Sequence, residues 1–275
     1  YSEAKQAQEK FEASQQKGVD ALTKNKVETE RLIEQYNNLT EARKKAGENW
    51  SVNQENQYLQ IQQRLAELYP QLISYIDGAG NKHLKSKQEI EKEIAATNRL
   101  IEAKKEEIRI NAATSLNKKI SERDDIGGDL KDKESFRDYL SKSGGEDGAA
   151  FAKTKVEIEQ LQSQWSTAQQ KITGEVLKIA SAYNSLQIDP SIKQGVDSFV
   201  SSLDLSKLNP SQLEGYAQKV GQVTDAMQEA YKSGNEANFD KAKQSLIDYA
   251  IQMGATKQQA FNFAMSFGTR RFFGF

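Results

Sequence analysis

Apolar residues in this chain recur mostly at alternating steps of three and four, which places them on one stripe of a helix. Residues 1–46 read as helix, with weak points at Gly18 and at 23–25. Leu32, Tyr36, Leu39, Arg43 and Ala46 hold the spacing in its second part. Gly47 and Asn49 end it. Ser51 or Asn53 supplies a short side-chain oxygen that can cap the next helix. That helix carries Tyr58, Ile61, Leu65, Leu68 and Leu72 on one seam, suited to packing against another helix.

The pattern breaks at LYPQLISYIDGAGNKHLK, residues 68–85. Pro70 stops the helix, and 72–76 is apolar and β-prone. Asp77-Gly78-Ala79-Gly80 is turn chemistry, and 81–84 can return as a second strand. The spacing predicts a small β-hairpin over about 72–84, packed on the helices it joins, because an isolated hairpin is marginal in water. A long helix follows from Lys87 to about Glu122, with Ile90, Ile94, Thr97, Ile101 and Ile108 on its seam.

Residues 123–148 hold Gly127-Gly128 and Gly144-Gly145 around an amphipathic piece with Phe136, Tyr139 and Leu140. This reads as a linker with one short helix and as the domain boundary. The expected organisation is therefore 1–122, a helical hairpin region with the β-insert; 123–148, the linker; and 149–275, a long helix plus a bundle. In the last part Ile158, Leu161, Trp165, Ala168, Ile172, Val176, Ile179, Tyr183 and Leu186 mark a helix over 151–187, on the order of 55 Å long. Shorter helices follow. Asp189-Pro190 and Asn209-Pro210 each pair a cap with a first-turn proline. Gly234-Asn235 and Gly254 end two helices, and Thr256 caps a last one. The fold class expected is all-α: elongated, coiled-coil-like helical hairpins with one β-insert, then a bundle of shorter helices.

Composition sharpens this picture. Charged residues at 28% against 37% hydrophobic, with only three prolines, suit long helices with narrow apolar seams better than a compact α/β enzyme. A net charge of −1 gives no nucleic-acid signature. The absence of cysteine excludes disulfides and thiol catalysis. No apolar run approaches the roughly 20 residues that span a bilayer.

The candidate chemistry is sparse. GAGNK at 78–82 lacks the spacing of a phosphate loop. His83 is the only histidine, with no second ligand or nucleophile beside it. Asp124, Asp125, Asp129 and Asp132 miss the EF-hand spacing. Glu89, Glu91, Glu93, Glu102, Glu106 and Glu107 are interleaved with Lys92, Lys104, Lys105 and Arg109, as on a salt-bridged outer face. No catalytic residue, cofactor site or metal site emerges, and no cofactor is expected. Two surfaces remain. The seam Ile158, Leu161, Trp165, Ile172, Ile179 and Tyr183 serves either the internal core or self-association and partner docking. The C-terminal stretch 255–275 holds six of the eleven phenylalanines and no acidic residue. There Phe267, Arg270, Arg271, Phe272 and Phe273 form a candidate docking element for a partner or a membrane surface, or else a cap on the bundle core.

The order of elements carries a resemblance. NQYLQIQQRLAELYP, then Leu72-Ile73, Tyr75-Ile76-Asp77, Gly80-Asn81 and Leu84, then IEKEIAATNRLIEAKKEEI, resembles a segment of phage and prophage tail tape measure proteins. The likeness covers roughly 24–122. It implies a structural, non-enzymatic role: a mostly helical section of a larger polypeptide that lies in the tail tube and sets tail length. It also implies partners among further copies of itself and the tail tube or tail-tip proteins. The expected location is the virion tail lumen, and the host cytoplasm during assembly. The alternative from the residues alone is a coiled-coil scaffold that binds a protein partner, and after it a membrane-active helical protein using the Phe-rich end.

Overall fold

A computed structural model describes residues 2–267, apart from Asp77, Ala79, Asn81, Asp147 and Leu186. Among these the chain is all-α with one small antiparallel sheet. The elements are α1 (Ser2–Ala46), α2 (Val52–Leu68), β1 (Ile73–Ile76), β2 (Lys82–Leu84), α3 (Lys87–Lys142), α4 (Ala149–Ala182), α5 (Pro190–Ser202), α6 (Pro210–Lys232), α7 (Glu236–Gln252) and α8 (Lys257–Ser266). The chain divides into two compact units, 1–106 and 107–275.

In the first unit α1 and α2 form an antiparallel hairpin. Arg43 pairs with Glu55 at 3.0 Å, the Tyr58 hydroxyl donates to the Tyr36 hydroxyl at 3.2 Å, and Arg64 pairs with Glu28 at 2.6 Å. The sequence separation grows from 12 to 22 to 36 along these contacts, as two antiparallel helices require. Ser51 caps α2 in a reciprocal box with Gln54, which satisfies two orphan N–H donors. α1 runs unbroken through Gly18 and 23–25, where Val19 and Thr23 are buried. Packing there outweighs weak intrinsic propensity.

The β-hairpin stands where the sequence predicts it. Its described residues pair Ile73 with Leu84, Tyr75 with His83 and Ile76 with Lys82. The expected turn residues Asp77, Ala79 and Asn81 lie outside the described residues. The hairpin is anchored at its base: Leu72, fully buried, joins Tyr69, Ile90, Leu84 and Ile33 in one cluster. Lys85 N–H donates to the Leu72 carbonyl at 2.8 Å, and Ser86 with Glu89 boxes the start of α3.

The expected linker over 123–148 is not observed. α3 continues through Gly127-Gly128 to Lys142, and only the residues up to Gly148 turn the chain. Two interior glycines cost the helix about 2 kcal/mol together. That cost is offset because α4 lies along this stretch. Arg109 donates to the Ala182 carbonyl, Lys119 bonds Glu175, the Gly127 backbone faces the Trp165 indole, and Lys133 pairs with Glu157 at 2.5 Å. The separation shrinks from 73 to 56 to 24, so α3 and α4 form a second antiparallel hairpin. Gly144, at φ 76°, closes it: the next N–H, of Gly145, donates to the Leu140 carbonyl at 2.9 Å. The boundary expected in 123–148 therefore moves to residue 106, and 107–142 groups with the bundle. α4 ends at Ala182, short of the expected 187. Beyond it the Asp225 carboxylate accepts the Ser185 N–H at 2.6 Å.

The core of the second unit gathers Leu116 and Ile120 of α3, Ile172, Val176 and Ile179 of α4, and the inner faces of α5 to α8. Each of the helices α5 to α8 begins with a side-chain cap: Asp189, Asn209, Asn235 and Thr256 each accept a first-turn N–H. At the centre α4 and α6 touch backbone to backbone. A Cβ on Gly221 would stand 2.4 Å from the Ala180 carbonyl oxygen and 2.6 Å from Tyr183 Cβ.

Candidate functional site

Among the described residues, reactive side chains do not converge. His83 stacks its ring on Tyr75, centroids 4.3 Å apart, as the cross-strand partner that the register dictates. Asp124 is held by its neighbour Arg123, with Arg123 Nε donating at 2.8 Å. Among the described residues, no group of three or more His, Asp or Glu side chains forms a cation cradle. Glu89 caps α3, and its carboxyl is held below the usual range by the Ser86 hydroxyl. Arg109 lies over the Tyr183 ring at 4.9 Å and donates to the Ala182 carbonyl, placing a cation at the C-terminus of α4.

One carboxylate is unusual and carries no signature in the sequence. Glu175 is 2% exposed. Its Oε1 accepts from Lys119 Nζ, and from Lys178 Nζ at 3.2 Å, while Oε2 has no hydrogen-bond partner. Glu175 lies between Ile172 and Val176 of the seam. Periodicity thus places it beside the core, but nothing local announces an ion pair formed across 56 residues. The pair favours this facing of α3 and α4, since a slipped register would take Lys119 away and leave the buried carboxylate only Lys178 of its own helix.

The seam proposed from sequence is filled largely from within the chain. Ile172 and Ile179 belong to the main core and Tyr183 packs against it. Ile158 is buried, whereas Leu161 and Trp165 are half-buried. Of the terminal docking element, Phe267 meets Phe263 and Phe239 edge to face at 5.2 and 5.5 Å and so caps the bundle. Arg270, Arg271, Phe272 and Phe273 lie outside the described residues.

Some large apolar side chains stay exposed. Phe136 and Tyr139, which sequence assigned to a linker helix, are exposed near the tip of the α3/α4 hairpin. Phe261 and Met265 are exposed on α8. No protein-family profile matches the chain, and no solved structure matches it. No described helix is long and apolar enough to cross a membrane. The features that remain are helical: two antiparallel hairpins with defined registers, and the outward faces they present.

Proposed function

We propose that this chain is a section of a phage tail tape measure protein, a non-enzymatic assembly component that occupies the tail tube and sets its length. One observation carries the reading: the order of elements over 24–122. A helix ends at Leu68, Pro70 turns the chain, two short strands follow, and a charged helix starts after Ser86. This is the arrangement on which the sequence resemblance rests. A helix converts residue number to length at about 1.5 Å per residue, and an antiparallel hairpin along the tube converts it at half that rate. In this reading several copies lie side by side, with tail tube or tail-tip proteins as further partners.

The test is to purify tails from the phage or prophage that encodes the chain, treat them with protease, and identify the protected peptides. Peptides from 1–275 should persist in intact tails and vanish once the tubes are opened. Their absence from intact particles would remove the reading.

A second reading, a helical scaffold that captures a protein partner, is favoured by the exposed Phe136 and Tyr139. It predicts that Phe136→Glu with Tyr139→Glu abolishes capture while tails assemble normally.

A further inference from the structure

We infer that a second copy of this chain docks in the groove between α1 and α2 that is lined by Gln35, Asn38, Leu39, Gln57, Gln60 and Ile61. The inference deepens the reading above, in which copies lie side by side. It locates the contact on the first hairpin rather than on α4, whose seam is largely filled from within the chain.

Charge singles out the groove. In a protein with 28% charged residues, QYNNLT at 35–40 and NQYLQIQQ at 56–63 contain none. The hairpin register sets these two runs at the same height, since Tyr36 stacks on Tyr58 with centroids 5.2 Å apart. Leu39 and Ile61 form a half-buried apolar floor, and the four carboxamides stand along its rims. Glu34 and Glu41 border the α1 run, while Glu55 and Arg64, which border the α2 run, pair within the hairpin with Arg43 at 3.0 Å and Glu28 at 2.6 Å.

What complements such a surface is another of the same kind. A carboxamide offers both donors and an acceptor, so a row of them pairs with a copy of itself. A two-fold axis along the hairpin keeps each residue at its own height. It then brings Gln35 and Asn38 of one copy against the 57–60 stretch of the other, and the reverse, as an isologous contact requires. Leu39 and Ile61 of both copies close over the centre. Amides at a helical seam specify the partner, because a mismatched neighbour leaves them unpaired.

The test uses the full 275-residue chain and reads mass by light scattering or sedimentation over a range of concentrations. The wild type should form a dimer or a higher closed assembly. Gln57→Lys with Gln60→Lys sets uncompensated charge against Gln35 and Asn38 of the other copy and should weaken association at least about tenfold. Both side chains lie on the outer surface of α2, so circular dichroism and melting temperature should stay unchanged. Gln35→Glu with Asn38→Glu should fail alone in the same way. Mixed with the lysine variant, it should restore association as a pair of opposite charge. Asn38→Lys should repeat the loss from the facing helix. A wild type that stays monomeric, charged variants that associate like the wild type, or a mixture that does not recover would each overturn the proposal. No tail is involved, so this result and that of the protease experiment are independent.

Discussion

At Gly221 the backbones of α4 and α6 leave no room for a methyl group, and this decides between two opposing effects. Replacing a helical glycine by alanine ordinarily stabilises by about 1 kcal/mol. Gly174, inside α4 with no neighbouring atom within 4 Å of where its methyl group would stand, should follow that rule. At Gly221 the new Cβ would meet a main-chain carbonyl at 2.4 Å, so the helices must part, at roughly 1–3 kcal/mol. Thermal melting of the two variants is the check: Gly174→Ala should melt higher than the wild type, and Gly221→Ala lower. Tyr36 gives a second handle. Burial raises its phenol from 10.0 to about 12. The folded chain then holds its proton where the unfolded chain has lost it. Stability from this site is complete below pH 10 and is lost as pH rises through about 12. Melting temperature followed between those limits should fall more steeply for the wild type than for Tyr36→Phe.

Among the elements, caps and stripes were legible because they are local. Ser51, Asp189, Asn209 and Thr256 sit where their side chains reach the next turn, and no distant contact is needed to place them. The β-hairpin was legible for the same reason, from Pro70 and the glycines at 78 and 80. Gly127-Gly128 misled because glycine reports a local preference, whereas α3 is held there by Trp165 and Glu157 of a helix that begins later in the chain. Glycine does act as a stop at Gly144, where φ is 76°. The two sites predict opposite outcomes. Gly128→Ala, in open space on a helix, should stabilise by about 1 kcal/mol. Gly144→Ala should destabilise by about 1–2 kcal/mol, because it forces an L-residue into the left-handed region. Denaturant unfolding of the pair separates a helix interior from a true turn.

For the molecule as a whole, the division at residue 106 has no mark in the sequence. IEAKKEEIRINA, residues 101–112, is uninterrupted helix former, and the boundary there reflects what each stretch of α3 packs against. The buried Glu175 and the charge-free height shared by α1 and α2 were hidden likewise, since each needs the register of a hairpin. What unites these features is that each is set by the register of a hairpin. We propose that such hairpins serve as a length-setting part of a tail. The direct measurement is tail length by electron microscopy after in-frame insertion of matched heptads into both arms of the α3/α4 hairpin, between the Lys133–Glu157 pair and Gly144. Three heptads in each arm should lengthen the tail by about 30 Å, at ~1.5 Å per residue of arm. Tails of unchanged length would contradict the account.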